Sequence, residues 1–425
     1  MTTISRRSLF KRTAAAGAAF QIIRPELVRG AGKEMLKAGL IGCGGRGQQA
    51  VMDMMNGTEN TQIVAMGDVF EDRLEGALGW LRKHRDYEKF KDRIKVEPER
   101  HFTGFDAYKK VLASDIDIVM LATPPAYRPE YFEAAIAAKK HVFCEKPFGT
   151  DAVGVRRFMA AAKKSEELKL TVMTGAQRRH DPNYMETVKR IQDGEIGDVL
   201  ATYAYWVGTP VIQQPKGRDP RWGDMTWQHR NWYSFVWICG DQIVEQHLHN
   251  IDVCNWVMGT HPVKVFATGG AAWRPREELY GNIYDHIAAD FEYPNGVRMS
   301  SYCRQVPGAS TRGPIFQNVS ELIVGSKKRS NAHDLGGDQQ TRPYVHEHTA
   351  MLNSIRGDGP YINHAMAVAE STMTCIMGRE SAYSGEAITW DQIMNSQQDL
   401  FPKQFGYDVK MDVPPLPVPG VYKFR

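Results

Sequence analysis

The chain has 425 residues, 42% hydrophobic and 24% charged, a balance that excludes a disordered, collagenous or coiled-coil protein and predicts more than one globular domain. Its formal net charge is +4, and four bases (Arg6, Arg7, Lys11, Arg12) precede Ile23 with no acid among them, so the rest of the chain sums to zero. A near-neutral body has no field to attract nucleic acid or an anionic membrane, and neither is an expected partner.

Residues 1–32 read as a leader. Ser5-Arg6-Arg7-Ser8-Leu9-Phe10-Lys11 is followed by an alanine-rich, weakly apolar run over 13–23, short of the ~20 residues a spanning helix needs. The basic start, twin arginine and short apolar run resemble a twin-arginine (Tat) export signal. That resemblance implies the Tat export machinery as a partner and a periplasmic or otherwise exported location. Val28-Arg29-Gly30 is a poor cleavage site, so removal of the leader stays open. The six cysteines include no Cys-x-x-Cys pair and read as small buried hydrophobes.

Residues 33–176 carry the pattern of an N-terminal Rossmann domain, a doubly wound α/β sheet. A strand predicted over 36–41 runs into Gly42-Cys43-Gly44-Gly45-Arg46-Gly47, and a helix is predicted over 48–55. Gly42 permits the tight turn, Gly44 lets a pyrophosphate approach the backbone, and Gly47 lets helix pack on strand. The helix amino terminus beside Gly45 and Arg46 offers N–H groups and a positive dipole end to phosphates. Asp68 ends a second strand, over 62–66, and lies 21 residues past Gly47, where an acid holds ribose hydroxyls. Its charge would repel a 2′-phosphate, which favours NAD while leaving NADP open.

The alternation continues with a strand over 116–122 that stops at Thr123-Pro124-Pro125, a helix over 128–140, and a strand over 141–144 that ends in Glu145-Lys146-Pro147. A helix over 151–168 and a strand over 170–174 complete the sheet. Open parallel sheets bind ligands outside the carboxyl ends of their strands, so Thr123 and Lys146 should face the cofactor crevice. The glycine run, Ala122-Thr123-Pro124 and Glu145-Lys146-Pro147, in that order, resemble the Gfo/Idh/MocA oxidoreductases over roughly 34–390. The resemblance implies a C-terminal α/β domain with an open, mostly antiparallel sheet that carries the substrate site and often mediates homo-oligomers. It places Thr123, Pro124, Glu145 and Lys146 at the cofactor, gives Lys146 the reacting hydroxyl, and implies an often cis Lys146–Pro147 bond.

Residues 177–390 form the second domain in this reading. Arg178 lies at the crossover, and an aromatic strand over 199–207 carries Tyr205. The stretch 222–237 is dense in Trp, His, Arg and Asn, as suits a sugar, and offers His229 and Trp232 as substrate contacts. If 240–252 is one helix, Glu245, His249 and Asp252 share a face. This resembles the family pattern D-x-x-x-H-x-x-D, which implies His249 as acid/base and Asp252 as its support, with Glu245 in place of the usual aspartate. His247 and His249 point to different helix faces, so no metal site is expected. Strands over 263–268, 287–293 and 297–302 follow, with Pro294-Asn295-Gly296 as a hairpin turn. Residues 391–425 form a proline-rich tail, read as an extended wrap or linker.

Three functions follow from this constellation. The first is oxidation of a sugar CH–OH, with hydride passing to tightly bound NAD, since a periplasm has no free NAD pool. The second, by similarity to the family's NAD-dependent glycosidases, is redox-neutral glycoside hydrolysis or lysis, with Tyr205, His180 or His229 as an added base. The third is a non-catalytic sugar-binding protein.

Overall fold

The computed structural model describes residues 34–211, 215–308, 320–332 and 342–425. Residues 1–32, read above as an export leader, lie outside them. Six strands form the first sheet: β1 (Leu36–Ile41), β2 (Thr61–Asp68), β3 (His101–Thr103), β4 (Ile118–Leu121), β5 (His141–Cys144) and β6 (Val172–Thr174). Their order is β3-β2-β1-β4-β5-β6 and every pairing is parallel. The central strands are apolar on both faces (β4 is buried throughout), because helices cover both sides of a parallel sheet, while the edge strand β3 is partly exposed. The order reverses at β1/β4, which opens a crevice at the carboxyl ends of these strands.

The second sheet has seven strands: β7 (Val199–Gly208), β8 (Lys264–Gly270), β9 (His286–Glu292), β10 (Arg298–Gln305), β11 (Glu321–Gly325), β12 (Arg329–Asn331) and β13 (Ile388–Thr389). Their order is β12-β11-β7-β10-β9-β8-β13. Only β7 and β10 pair in parallel; the other pairings are antiparallel. The β9–β10 hairpin turns at Gly296, whose φ of 81° supplies the left-handed residue the turn needs. Helices cover one face, and the other shows Phe266 and Tyr302 to solvent. No described helix is long and apolar enough to cross a membrane. All six cysteines are buried and free, as expected of small hydrophobes.

The helix Ala365–Ser384 packs against both Ala152–Glu167 and β8, so it ties the two sheets together. It therefore has almost no exposed face. Arg379 on this helix is fully buried, and its guanidinium donates to the carbonyls of Thr150 (2.6 Å) and Gly240 (3.0 Å) and to the Glu380 carboxylate (2.7 Å). Replacing it with methionine leaves Glu380 buried without its cation. Arg379→Met should lower the unfolding free energy by about 3–5 kcal/mol in a urea titration. An unchanged midpoint and slope would show that the helix does not depend on this pair.

The tail read from residue 391 begins inside the helix Trp390–Asn395, and the chain beyond it runs without helix or strand as a wrap. The wrap is pinned by Tyr284 Oη to the Pro417 carbonyl (2.9 Å) and by Tyr422 Oη to the Glu380 carboxylate (2.7 Å).

Candidate active site

The glycine run takes the conformation its spacing predicts. Gly42 has φ of 97°, and a Cβ there would lie 2.6 Å from the Ala122 backbone. A Cβ on Gly47 would lie 2.0 Å from the Gly42 carbonyl oxygen, so only glycine lets the helix Gly45–Gly57 start so close to β1. Gly44 and Gly45 face open space, and no side chain caps the helix amino terminus. Its N–H groups are thus presented to a cleft of about 540 Å³. Asp68 lines the same cleft at the end of β2, where its carboxylate accepts from the N–H groups of Cys43 (2.7 Å) and Phe70 (2.9 Å). Burial raises its pKa, against those two hydrogen bonds. Thr123, whose buried hydroxyl has no partner, and Pro124 line it between the two. An uncapped helix end, an acid at the ribose position and an orphan hydroxyl are what a dinucleotide would satisfy, so the residues fit NAD.

Arg46 and Glu145 line the cleft, but as a pair. The guanidinium meets Glu145 (2.5 Å), Asp53 (3.1 Å) and Glu347 (3.3 Å), and rests over the Tyr344 ring at 4.8 Å. Its charge is spent on these carboxylates, so what Arg46 offers a phosphate is its backbone N–H. Burial, with Glu145 nearby, pushes the Glu347 carboxyl well above the usual range.

The Lys146–Pro147 peptide is cis, and Lys146 follows β5 into the cleft. Its ammonium donates to the Glu245 carbonyl and lies 3.5 Å from the Glu245 carboxylate. Arg128, missed in the sequence, organises this corner: its buried guanidinium donates to the carbonyls of Pro147 (2.9 Å) and Thr123 (2.6 Å). It thereby ties the ends of β4 and β5 together. Only its place four residues after Pro124 hinted at this role.

The expected single helix over 240–252 is broken. Gly240 (φ 84°) and Asp241 (φ 80°) both take positive φ ahead of the single turn Gln242–Glu245, and after Gln246 and His247 a new helix runs Leu248–Met258. The buried Asp241 carboxylate fixes the start of the first turn by accepting from the N–H groups of Gln242 (2.5 Å) and Tyr284 (2.8 Å) and from Tyr383 Oη. Burial pushes its pKa up to about 6. Glu245 and His249 still meet in the cleft, beside Gln246. His249 lies against Trp206 (ring centroids 6.0 Å apart, 26° between planes), and its buried Nδ1 has no partner. Burial, together with the charges of Lys146, Arg178 and Arg46, lowers its pKa well below the ordinary histidine value.

Asp252 follows His249 by three residues on the same helix, Leu248–Met258, yet its carboxylate is engaged elsewhere, which corrects the supporting role at the substrate expected for it. Its carboxylate takes two hydrogen bonds from Arg179 (both 2.8 Å) and one from Ser371 (2.8 Å), and it does not line the cleft. Asp252→Ala should therefore cost about 3–5 kcal/mol of stability by stranding Arg179. Unchanged stability with a raised KM would return Asp252 to the substrate.

Tyr205 is a second correction. It alternates with the cleft-facing Trp206 along β7, so it points to the opposite face and stacks between Tyr203 (6.3 Å) and Tyr302 (6.0 Å). His180 is also outside the cleft, buried 5.2 Å from the His364 ring. His247 is fully buried, with Nε2 on the Ser301 hydroxyl at 2.7 Å. Among the described residues no group of three His, Cys, Asp or Glu side chains could hold a metal ion.

The stretch 222–237 folds into the helix Asp224–Arg230, a turn Trp232–Ser234 and a helix Val236–Cys239. Trp227 and Trp237 are core residues whose indole N–H groups donate to the Lys216 carbonyl (2.9 Å) and Gln228 (2.6 Å). His229 and Trp232 do reach the cleft, as does Arg178, whose guanidinium pairs with buried Glu321. His229 is not a free base. Nδ1 donates to the Met225 carbonyl (2.6 Å), Nε2 accepts from Tyr127 Oη, and burial lowers its pKa to about 4.

Comparison with known proteins agrees with this geometry. Residues 36–174 match the family model described as "Oxidoreductase family, NAD-binding Rossmann fold", and residues 184–327 match the "GFO/IDH/MocA C-terminal domain". Inositol 2-dehydrogenase of Rhizobium meliloti (strain 1021) is 27% identical over 238 residues, 55% of this chain and 65% of that enzyme. The curated relatives are matched over 65% of their length or less. Scyllo-inositol dehydrogenase from Lactobacillus casei, solved with bound NAD(H) and scyllo-inositol, has the same fold, with a TM-score of 0.62 at 18% identity over 84% of this chain and 99% of that one. Aldose-aldose oxidoreductase from Caulobacter crescentus has a TM-score of 0.62 at 16% identity, covering 84% of this chain and all of that one. With one family's two domain models matched in order across both sheets, the chain belongs to the GFO/IDH/MocA oxidoreductase family.

Proposed function

We propose that the protein oxidises a secondary hydroxyl of a sugar or cyclic polyol, with NAD as the hydride acceptor. The observation that carries this reading is the meeting of Lys146 and His249 in the cleft that the glycine run opens. His249, neutral and with an unpaired Nδ1, takes the hydroxyl proton. Lys146, steadied by Glu245, donates to the same oxygen and stabilises the negative charge that develops there. Bound NAD supplies the acceptor for the hydride leaving the carbon. Trp206 and Trp232 offer apolar faces to ring C–H groups. Arg46, Arg178 and Arg230 already have acidic partners, which favours an uncharged substrate. The inositol dehydrogenases named above support a polyol.

Redox-neutral glycoside cleavage needs a further base. Tyr205 and His180 lie outside the cleft and both nitrogens of His229 are engaged, so this reading is the weaker one. We further propose that residues 1–32 direct export, that 33–176 and 177–390 form the two domains ahead of the tail at 391–425, and that NAD is held tightly. The exposed aromatic row of Phe266 and Tyr302 supports a homo-oligomer.

The test is to purify the protein with its nucleotide and add inositols, aldoses and glycosides, with and without external NAD. Reduced nicotinamide absorbance with a polyol or aldose is expected. Aglycone release without net reduction would replace oxidation by cleavage. No spectral change with any substrate, despite bound nucleotide, would leave a binding protein.

A further inference from the structure

The cleft has two ends. Lys146, Glu245 and His249 gather at the end of β5, and Asp68 stands at the end of β2. In the order β2-β1-β4-β5 three strand spacings separate them, about 14 Å. The acid at the end of β2 marks the adenosine end.

Two segments from outside the first sheet close on that end. From the helix Asp224–Arg230, Arg230 grips Asp72 with two hydrogen bonds (2.6 and 2.7 Å) and lies 3.9 Å over the Phe70 ring. His229 sets its ring edge-on to Phe70 (6.2 Å) and Phe105 (5.8 Å). From the tail, Tyr407 Oη donates to the Val69 carbonyl (2.6 Å), one residue past Asp68, and Phe405 and Tyr407 pack on Phe105 at 5.6 and 5.4 Å. The two segments are joined to each other: Met225 N–H donates to the Val409 carbonyl (3.1 Å), and the Thr226 hydroxyl to the Tyr407 carbonyl (2.8 Å). A Cβ on Gly223 would lie 2.5 Å from the tail backbone, so the helix start is shaped to the tail.

We propose that the helix Asp224–Arg230 and the tail segment 401–411 form one latch over the adenosine end of the cleft, which retains the dinucleotide from one turnover to the next. The proposal rests on the cleft holding NAD. It reassigns His229 from the sugar to the nucleotide and gives the neighbouring Arg230 the same role. Both grips on the first sheet, Arg230 to Asp72 and Tyr407 to Val69, fall within five residues of Asp68, where a leaving adenosine must pass. The reacting end keeps none of these clasps, so substrate can enter while nucleotide stays.

Deleting the tail could unfold the chain, because Tyr422 and Pro417 also pin it to the core. The test therefore uses the full chain carrying Asp72→Asn and Tyr407→Phe, two partly exposed positions, with the melting temperature as the control for folding. Nucleotide release is followed by loading with labelled NAD and chasing with unlabelled NAD. The parent should keep its label through gel filtration, and the double variant should release it at least about tenfold faster, equivalent to about 1.4 kcal/mol. Equal release rates in two folded proteins would overturn the latch, as would a parent that loses its label during filtration. A protein that oxidises no polyol yet shows latch-dependent release would refute the oxidoreductase reading and leave the latch standing.

Discussion

Lys146→Met should hold nucleotide as the parent does and lose about 10²–10³-fold in kcat, the cost of removing one donor aimed at a developing oxyanion. Methionine keeps most of the apolar stem, so the cis turn and the Arg128 clamp on Pro147 survive. What goes is the ammonium, which donates to the Glu245 carbonyl and sits 3.5 Å from its carboxylate. The loss should fall on kcat and kcat/KM together, because the interaction is made mainly in the transition state. The variant also strands the Glu245 carboxylate, still held by Gln246 Nε2 at 2.5 Å. Lys146→Met combined with Glu245→Gln should recover stability but not rate. Steady-state kinetics with a polyol and saturating NAD reads the result. A kcat equal to the parent's would remove Lys146 from the chemistry, and with it the proposed mechanism.

The nucleotide half of the site was legible because its physics is local. Gly42 answers to its own positive φ and Gly47 to the Gly42 carbonyl, both within one strand–turn–helix unit, and Asp68 follows at a set distance. Lys146 was legible from a short run between strand and proline. The failures came where a role depends on distant chain. Asp252 follows from a helical spacing, but Arg179 and Ser371, both distant in the chain, take its carboxylate away from the cleft. Tyr205 was judged by composition, and the period of a strand sent it to the other face while Trp206 took the cleft. Arg128 carries no pattern of its own, and its importance appears only when two strand ends meet. The 222–237 stretch looked too polar for a core. Pairing resolves this, since Gln228 accepts from Trp237 and donates to the Met411 carbonyl (3.1 Å), a partner supplied by the tail. The short strands β11 and β12 were missed because three to five residues give too little alternation to read.

His249→Asn should cost about 10²–10⁴-fold in kcat, the usual worth of a positioned general base. The more telling result is the pH profile. Burial comes first among the causes that lower the pKa of His249, followed by the charges of Lys146, Arg178 and Arg46. A base works when deprotonated, so a lowered pKa keeps His249 competent throughout the neutral range, and kcat should fall only well below pH 6.5. Taking away a neighbouring positive charge must raise that pKa. In Lys146→Met the remaining activity should therefore show its acid limb at higher pH than the parent's, toward the ordinary value. In His249→Asn the limb should vanish, leaving a low, flat rate across the acid range. Asn fills much of the same space beside Trp206, so its rate loss is not one of packing. If the parent's acid limb persists unchanged in His249→Asn, the titrating base is another group, and Asp241, buried with a pKa near 6 at the start of the turn that carries Glu245, is the next residue to replace.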